Sequence, residues 1–424
     1  MVTSTQHTRA GRVAVVGSGI AGLAASWYLG KTHAVTLFEK QPDIGMAAHG
    51  IEWGGARVDM PLRVLYRGYY PTLSALYDEA DIATTSADYS ASFSDLGGDA
   101  YFRYRNWRPL QRWSVPMLAG GQSWGARSRA IVRDLIRLYR RAACDARKLK
   151  NSETTLQAYL DEGGYSAGFA DDFLLPTFAA IGTCSIDAVR RYPALVVIDY
   201  LRRGVLLEGV LRTVRGADFV VRQLSRRCQR VLTGTGIAEL RRDNDGVVII
   251  DEHGEQHRFD HVVLATQGNQ ALRLLQDASA DEAQALARFS YEPSEVIVHT
   301  DTRLMPRRRA DWSPVNFFTE TGASRPMASI WLNRVLPVAK GTADAFQTWN
   351  PLMQPDPESV LARARFERPC VDHNSEQGLI ELDTLHGQHG RRVWFCGSYA
   401  AAGVPLLESA ARSALGISRR IHQA

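Results

Sequence analysis

The feature that most constrains this chain is a glycine-rich turn near its start, between a short apolar run and a helical pattern. Residues 13–16 are apolar and rich in β-branched side chains, as in a strand that is buried on both faces. Gly17, Gly19 and Gly22 follow as G-x-G-x-x-G, and residues 21–30 have a helical pattern. The first glycine permits the turn, the second lets the backbone approach a pyrophosphate, and the third lets helix pack on strand. The stretch therefore predicts a β-α-β unit with a dinucleotide at the helix N-terminus.

An acidic residue follows at the distance that such a unit requires. Residues 34–38 form a second apolar run, and Glu39 comes directly after it. A carboxylate at this position accepts the two hydroxyls of the adenosine ribose and would repel the 2′-phosphate of NADP. Residues 13–30 are also uncharged, which raises the alternative of a membrane span. Three glycines weaken a helix by about 1 kcal/mol each, and no charged flanks frame the stretch, so we interpret it as nucleotide-binding.

Composition sets the class of protein. A chain of 424 residues predicts two domains, and 45% hydrophobic with 22% charged residues is ordinary for a globular protein. A net charge of +5 is too mild to predict a nucleic-acid partner. Five scattered cysteines and a polar start without a secretory signal predict reduced thiols and a cytoplasmic location. His386 and His389 have no further ligands nearby in sequence, so we predict no metal site.

Elements of the nucleotide type recur in the middle and at the end of the chain. Residues 246–266 have the pattern of two strands, a turn and a buried strand, and residues 393–397 that of an apolar strand before a glycine. Between them lie an aromatic-rich stretch, which includes Tyr101, Trp107, Trp113 and Trp124, a helical region, and alternating strands. The fold class predicted is α/β, with a discontinuous Rossmann-like domain and an α+β substrate domain. The predicted boundaries are 1–88, 206–282 and 388–424 for the first domain, and 89–205 and 283–387 for the second.

Several motifs carry a family resemblance over nearly the whole chain. They are residues 70–73 (YPTL), 174–176 (LLP), 212–214 (RTV), 262–266 (VVLAT), 299–306 (HTDTRLMP) and 393–397 (VWFCG). With them the chain resembles the FAD-binding amine-oxidase-like superfamily. Within it, the chain is similar to bacterial NAD/FAD-binding proteins related to the flavin domain of plant cyclopropane fatty acid synthases. The resemblance implies a two-domain flavoprotein with FAD. We expect non-covalent attachment, because no cysteine or histidine lies where a covalent link would be placed.

The resemblance also implies which residues hold the cofactor. The glycine turn would hold the pyrophosphate, Glu39 the ribose and Val231 the adenine region. The loop at residues 405–407 would direct the N-terminus of the last helix, from Glu408 onward, toward the flavin N1–O2 edge, where a helix dipole stabilises the anionic reduced ring. The full predicted set is Gly17, Ser18, Gly19, Ile20, Ala21, Gly22, Glu39, Lys40, Gly45, Met46, Ala47, Leu62, Arg63, Val231, Ala265, Thr266, Gly397, Ser398, Leu406 and Leu407.

The chain departs from the family pattern beside the expected flavin. Residues 45–47 read GMA where the group usually has Gly-Gly-His, and residues 403–408 read GVPLLE where it often has Gly-Phe-His-Glu. No catalytic base is therefore carried over. Arg63, Tyr66 and His49 remain as candidates. Arg63 would pair with a substrate carboxylate, with the flavin or with a structural salt-bridge partner. Tyr66 would line the pocket or belong to the core, and His49 would act as a base or form a structural hydrogen bond.

The reaction expected is hydride transfer from a hydrophobic substrate to flavin N5, as in a desaturase or dehydrogenase. Three alternatives stay open: an amine oxidase that forms an imine, a double-bond isomerase without net redox, and a non-catalytic flavin-bound partner of another enzyme. The sequence identifies neither the electron acceptor nor the oligomeric state.

A basic amphipathic pattern suggests a place for a membrane contact. Residues 127–150 have a polar face that includes Arg127, Arg129, Arg133, Arg137, Arg140 and Arg141. Such a helix either docks on the protein core with its cations in solvent, or lies on anionic lipid. We therefore expect either a plain surface helix or a peripheral contact with a membrane.

Overall fold

The computed structural model describes residues 11–107, 114–120, 125–204 and 209–423, so the predicted aromatic positions Trp113 and Trp124 lie outside the described residues. Within these ranges the strands are β1 (Arg12–Val16), β2 (Ala34–Phe38), β3 (Ile51–Trp53), β4 (Ala56–Val58), β5 (Thr84–Ala87), β6 (Ala91–Asp95), β7 (Ala100–Trp107), β8 (Val115–Leu118), β9 (Val210–Thr213), β10 (Arg230–Leu232), β11 (Ile237–Asp243), β12 (Gly246–Asp251), β13 (Gln256–Phe259), β14 (His261–Leu264), β15 (Tyr291–His299), β16 (Val315–Thr319), β17 (Met327–Trp331), β18 (Phe346–Trp349), β19 (Val360–Pro369) and β20 (Val393–Phe395).

The α-helices of the same ranges are α1 (Ile20–Leu29), α2 (Pro71–Glu79), α3 (Ala126–Lys148), α4 (Leu156–Glu162), α5 (Ala167–Phe169), α6 (Leu175–Gly182), α7 (Ile186–Arg190), α8 (Ala194–Arg202), α9 (Gly216–Ser225), α10 (Gly268–Leu274), α11 (Ala280–Ala287), α12 (Leu332–Val335), α13 (His373–His386) and α14 (Leu407–Ile421). None of these helices is long and apolar enough to cross a membrane. The five cysteines are unpaired, and Cys144 is the exposed one.

A parallel sheet of five strands forms the nucleotide half of the molecule. Its order is β10-β2-β1-β14-β20, and its strands come from the start, the middle and the end of the chain. Alternate residues of β1 enter two different cores: Val13 and Val15 pack with α1 and α14, whereas Ala14 and Val16 pack with α10, α11 and α13. Burial on both faces explains why these strands are continuous apolar runs in the sequence. The exact domain boundaries stay a prediction.

A mixed sheet of eight strands forms the other half, in the order β19-β15-β18-β17-β16-β6-β7-β8. One row of this sheet is apolar, because Phe93, Phe317, Ala328 and Trp349 lie side by side on neighbouring strands. The Phe93 and Phe317 rings stack with their centroids 4.7 Å apart. The alternating pattern of these strands therefore places one apolar face toward the interior of the molecule.

The row on the opposite face of the same strands is polar and fully buried. Ser92 donates to Asn316 (2.7 Å), Ser329 and Thr348 share a hydrogen bond (2.8 Å), and Thr348 bonds to His299 Nε2 (2.7 Å). The Asn316 amide also donates to the Ser329 carbonyl (3.1 Å) and closes the chain of contacts. We call these five residues the polar ladder. Their mutual hydrogen bonds offset the cost of burying them.

Helix α3 lies against the core with most of its arginines in ion pairs. Arg127 bonds to Asp172 (2.6 Å) and stacks on the Tyr101 ring, with 3.5 Å between guanidinium and ring centroid. Arg133 and Arg137 both bond to the buried Asp134. Arg141 bonds to Asp145 (3.3 Å). These pairs belong to a helix docked on the core, and the expected contact with lipid stays a prediction.

The polar ladder predicts a pH dependence of stability. Burial lowers the pKa of His299 to about 4. Between pH 6.5 and 4 the unfolded chain therefore binds a proton that the folded protein excludes, so the free energy of unfolding falls with decreasing pH, by about 1.4 kcal/mol per pH unit for this group. Urea unfolding at pH 7 and pH 5 should show that His299→Gln has a shallower dependence than the wild type. The exposed His373→Gln is the control, and equal slopes in all three proteins would contradict the prediction.

Candidate active site

A single long cavity connects the two sheets. Its volume is about 1020 Å³, at the upper end of the usual range for small-molecule sites. One end is lined by the glycine turn after β1, and the other by the apolar face of the eight-stranded sheet. The cavity therefore has a nucleotide end and an apolar chamber.

The glycine turn has the geometry that its sequence predicts. Gly17 has φ +96°, a backbone conformation that residues with a side chain rarely adopt. A Cβ on Gly22 would overlap the Gly17 carbonyl oxygen. A Cβ on Gly19 would meet no protein atom within 4 Å, and Gly19 lines the cavity. Gly22 thus allows close packing, whereas Gly19 keeps the space in front of the α1 N-terminus open for an anion.

Glu39 is buried at the end of β2 and lines the cavity. Its carboxylate accepts hydrogen bonds from the Ser18 amide (3.0 Å), the Ser18 hydroxyl (2.5 Å) and the Gln41 amide (2.9 Å). The Ser18 hydroxyl in turn accepts from the Gly45 amide (2.6 Å). These bonds orient the carboxylate beside the glycine turn, where the sequence predicts the ribose.

A second helix begins at the cavity. Leu406 and Leu407, at the start of α14, line it together with Ala410. The acidic residue of this first turn, Glu408, is directed elsewhere: its carboxylate accepts the amides of Thr72 (3.1 Å) and Leu73 (2.9 Å) at the N-terminus of α2. Glu408 therefore caps α2.

The chamber is lined by apolar and aromatic side chains from the sheet and from the helices. Those of the sheet are Ala91, Phe93, Tyr104, Val315, Phe317, Ala328, Ile330 and Trp349. Those of the helices and their connections are Tyr66, Tyr70, Tyr89, Leu135, Phe173, Leu174, Phe178, Ile181 and Tyr200. Phe173 and Leu174 lie in a π-helical turn, Ala170–Leu174, of the kind that often occurs at functional sites.

The tyrosines of the chamber are not bases. The Tyr66 hydroxyl donates to the Tyr200 carbonyl (3.3 Å), and the Tyr66 and Tyr70 rings meet edge to face. Burial raises the pKa of both phenols above the ordinary value. Tyr69 is also buried, but its hydroxyl accepts the Val404 amide (2.9 Å). Tyr66 and Tyr70 therefore present neutral phenol rings to the cavity.

Two cations face the cavity at the chamber. Arg63 donates to the Pro61 carbonyl (3.2 Å), and Arg368 donates to the Thr183 hydroxyl (2.6 Å). Burial lowers the pKa of both guanidinium groups, an effect that Asp59 partly offsets for Arg63. Neither arginine has a carboxylate within 4 Å among the residues that the structure describes, so the structural salt bridge considered for Arg63 is not formed with any of them.

Gln347 fixes the segment that carries Arg63. Its side chain donates to the Asp59 carbonyl (2.9 Å) and accepts from the Leu62 amide (2.9 Å), and thereby joins β18 to the segment after β4. The Asp59 carboxylate accepts the Ala217 amide (2.9 Å), and burial raises its pKa. The loop with Leu62 and Arg63 is therefore held against the eight-stranded sheet.

Most of the predicted cofactor residues line this one cavity. They are Gly17, Ser18, Gly19, Ile20, Ala21, Glu39, Lys40, Gly45, Met46, Leu62, Arg63, Ala265, Thr266, Gly397, Ser398, Leu406 and Leu407. The cavity wall does not include Gly22, which packs against Gly17, nor Ala47, Val231 and His49. His49 lies beside Phe366. His386 accepts the Phe395 amide (3.2 Å), and no cluster of three or more metal-ligating side chains is present in the described ranges.

The sequence analysis missed Arg368 and Thr183. They are 185 positions apart and meet only in the fold. A half-buried arginine at the end of an alternating strand has no local pattern that marks it. The sequence could have shown only that β19 is rich in arginine. In the structure Arg363 and Arg365 both pair with Glu295, and Arg363 also bonds to Gln354.

Comparison with known proteins agrees with this architecture. Residues 15–80 match the family of NAD(P)-binding Rossmann-like domains. No curated protein matches the sequence of the chain. Among solved structures, the chain is similar to the CLA-producing fatty acid isomerase from P. acnes, with a TM-score of 0.68, 15% identity and coverage of 97% of this chain and 99% of the isomerase. It is also similar to putrescine oxidase in complex with putrescine, with a TM-score of 0.65, 13% identity and coverage of 98% and 99%.

The chain therefore has the two-domain α/β fold of the amine-oxidase-like flavoproteins. The prediction of this fold class is confirmed. Identities of 13–15% establish the fold and leave the reaction to be argued from the site.

The glycine turn predicts a difference between two variants. Gly22→Ala should lower the melting temperature, because its methyl group would overlap the Gly17 carbonyl and push α1 from β1. Gly19→Ala should leave the melting temperature of the unliganded protein nearly unchanged but weaken nucleotide binding, because its methyl group projects into open cavity. Thermal melts with and without added FAD measure both effects. Equal melting temperatures for the two unliganded variants would contradict this assignment.

Proposed function

We propose that the protein is an FAD-dependent oxidoreductase that removes a hydride from a hydrophobic substrate. The observation that supports this most is the single cavity, which joins a dinucleotide-type glycine turn to an apolar chamber through the start of helix α14. A dinucleotide extended from the glycine turn would bring its reactive ring next to the chamber. The proposal is a desaturase or dehydrogenase reaction.

The residues present fit FAD. The space in front of Gly19 is open, the buried Glu39 carboxylate stands beside it, and the wall continues through Ala265 and Gly397 to Leu406. Gly17, Ser18 and Gly19 would hold the pyrophosphate and Glu39 the ribose, while the amides at the start of α14 would face the flavin. No described cysteine or histidine supports a covalent link, because Cys396 is fully buried and His49 lies outside the cavity wall. Attachment is therefore proposed to be non-covalent.

When bound, FAD supplies the acceptor of the hydride. The chain itself contributes binding, orientation and exclusion of water. The apolar row around Phe93 and Phe317 removes the substrate from water, and the helix dipole of α14 favours negative charge at its N-terminus. The neutral phenols of Tyr66 and Tyr70 limit where the substrate lies. No side chain of the described chamber is placed to act as a strong base. The protein positions the carbon that would lose a hydride to FAD, and the proton that the adjacent carbon must lose for a double bond to form would pass to solvent water.

The charge of the chamber favours this reaction over amine oxidation. The acidic residues of the described cavity wall are Glu39, Glu252 and Glu367. Glu39 and Glu252 adjoin the nucleotide end, and Glu367 accepts from Asn269 at the start of α10 (3.2 Å). Arg63 and Arg368 would repel an ammonium group near the aromatic chamber. An amine substrate is thus the weaker proposal.

An isomerase is the second candidate. A solved structure of the same fold is a fatty acid isomerase, and an apolar chamber without an evident base suits a reaction that removes and returns a hydride at one face of a chain. This reaction uses the same chamber and the same cofactor but leaves no net change in redox state.

An anaerobic titration separates these candidates. The purified holoprotein should be yellow, with a flavin absorption band at about 450 nm. We expect that oleate or linoleate bleaches this band stoichiometrically and gives a product with one more double bond. Migration of a double bond without bleaching would instead establish the isomerase, and bleaching by putrescine alone the amine oxidase. A protein that holds no FAD would overturn the proposal, and a flavin that no compound reduces, with no isomer formed, would favour a non-catalytic partner.

We also propose a peripheral contact with anionic lipid, from the solvent side of α3. Ile136, with 49% of its surface exposed, Arg140 and Arg147 follow one another along this side. Arg140 and Arg147 form no ion pair with any residue in the described ranges. Cations near anionic lipid contribute on the order of 1 kcal/mol each, so the attachment would be weak and sensitive to salt. A hydrophobic substrate would reach the enzyme from such a surface.

Co-sedimentation with phosphatidylserine vesicles tests this contact. We expect binding at low salt that is lost at high salt and in Arg140→Glu/Arg147→Glu. The double variant Arg363→Glu/Arg365→Glu is the control, because it reverses the same number of charges on β19, an edge strand of the eight-stranded sheet. Wild-type protein that stays in the supernatant would refute a lipid contact and leave α3 as a plain surface helix.

A further inference from the structure

We propose that Arg368, oriented by Thr183, binds the carboxylate of an acyl substrate inside the chamber. This inference rests on the proposed function, because it assigns a polar end to the hydrophobic substrate. The substrate class would then be a long-chain carboxylic acid rather than a neutral lipid, an ester or an amine.

The geometry leaves the guanidinium of Arg368 partly free for a ligand. The Nε of Arg368 donates to the Thr183 hydroxyl (2.6 Å), and the guanidinium carbon Cζ lies 5.7 Å from the centroid of the Trp349 ring. The two terminal nitrogens have no hydrogen-bond partner among the described residues, and the side chain lines the cavity. Two parallel N–H groups of this kind match the two oxygens of a carboxylate.

Thr183 is held in a fixed orientation. It follows α6 with φ +51°, in the left-handed region that is uncommon for residues other than glycine. Its hydroxyl donates to the Gly182 carbonyl (2.8 Å) and accepts from Arg368, so both of its hydrogen-bonding roles are used. Uncommon backbone conformations of this kind concentrate at ligand sites. Thr183 thereby fixes the direction in which Arg368 presents its terminal nitrogens.

Arg368 also has no ion-pair partner among the residues that the structure describes. No carboxylate of the described chain lies within 4 Å of it, and its electrostatic neighbours include Arg63, a like charge. The other neighbours are Cys184, Tyr192 and Tyr70, whose pKa values are all raised by burial and which are therefore neutral near pH 7. A guanidinium stays protonated under these conditions. A half-buried cation of this kind, without a protein carboxylate beside it, is more stable when an anion accompanies it.

The proposed carboxylate site at Arg368 is separate from the nucleotide end of the cavity. The residues around Arg368 are Thr183, Cys184 and Tyr192 of the helical region, Tyr70, Trp349 of β18, and Arg63 of the loop after β4. None of them belongs to the glycine turn or to the parallel sheet. Phe178 and Ile181, from the same helix as Gly182, line the chamber next to Thr183. An acyl chain that starts at Arg368 would therefore run directly onto apolar wall.

Binding measured with a matched pair of ligands tests the assignment. Oleate and methyl oleate share the acyl chain and differ in charge, and calorimetric titration of the FAD-loaded protein measures both dissociation constants. Loss of a charge-assisted bidentate contact corresponds to about 10- to 100-fold in affinity. We expect the wild type to prefer oleate by this factor, Arg368→Leu to lose the preference while still binding the ester, and Arg368→Lys to keep part of it.

The control is Arg363→Leu, which removes an arginine from the same strand that does not line the cavity. It should bind both ligands as the wild type does. Equal affinity of the wild type for acid and ester, or an unchanged preference in Arg368→Leu, would overturn the proposal.

The midpoint potential of the flavin in Arg368→Leu distinguishes a role of this arginine in binding the substrate from a role in stabilising the reduced flavin. A potential that becomes more negative while the preference for oleate persists would mean that the arginine stabilises the anionic reduced flavin, and this too would overturn the proposal. Failure of the proposed function is distinguishable, because it would appear as absence of FAD or of any reaction while the preference for the acid could still be measured on the unloaded protein.

Discussion

The close contact between helix α1 and strand β1 determines where everything else in this molecule can lie. It exists because Gly22 has no side chain, so the helix packs directly against the Gly17 carbonyl. Its consequence is that the α1 N-terminus opens at the carboxyl end of a parallel sheet, the usual place for a ligand in such folds. The strands of that sheet come from distant parts of the chain, and each brings its own residue to this edge: Glu39 after β2, Ala265 after β14 and Gly397 after β20.

The two halves of the site are joined by specific polar contacts rather than by apolar packing alone. Gln347 reaches from the eight-stranded sheet to the backbone on either side of Met60, and Glu408 reaches from α14 to the N-terminus of α2. Both are buried side chains with all of their contacts directed at backbone groups. Together they fix the loop that carries Arg63 and the helix that follows Tyr70. The wall between the nucleotide end and the chamber is therefore held by hydrogen bonds from both halves of the molecule.

The sequence predicted the nucleotide half well because its constraints are local. A glycine turn, a buried strand and a following carboxylate are each visible within about 30 residues, and the structure brings Ser18 and Glu39 together as that pattern requires. The alternation at residues 296–300 and 329–332 predicted strands but not which face would meet a ligand. Arg368 and Gln347 could not be recognised, because each acquires its role from a partner more than 180 positions away. Val231 and Ala47, which were inferred from family resemblance alone, lie outside the cavity wall.

The polar ladder has a consequence for the shape of the chamber. Ser92, Asn316, Ser329 and Thr348 are aligned on neighbouring strands, and each is next in sequence to a residue of the apolar face. A slip of one strand by a single residue would turn hydroxyl and amide groups into the chamber and bury aromatic rings against unsatisfied donors. The hydrogen bonds of the polar ladder, on the sheet face opposite the chamber, therefore stabilise the observed strand register. The apolar lining of the chamber is therefore maintained by residues that are not part of its wall.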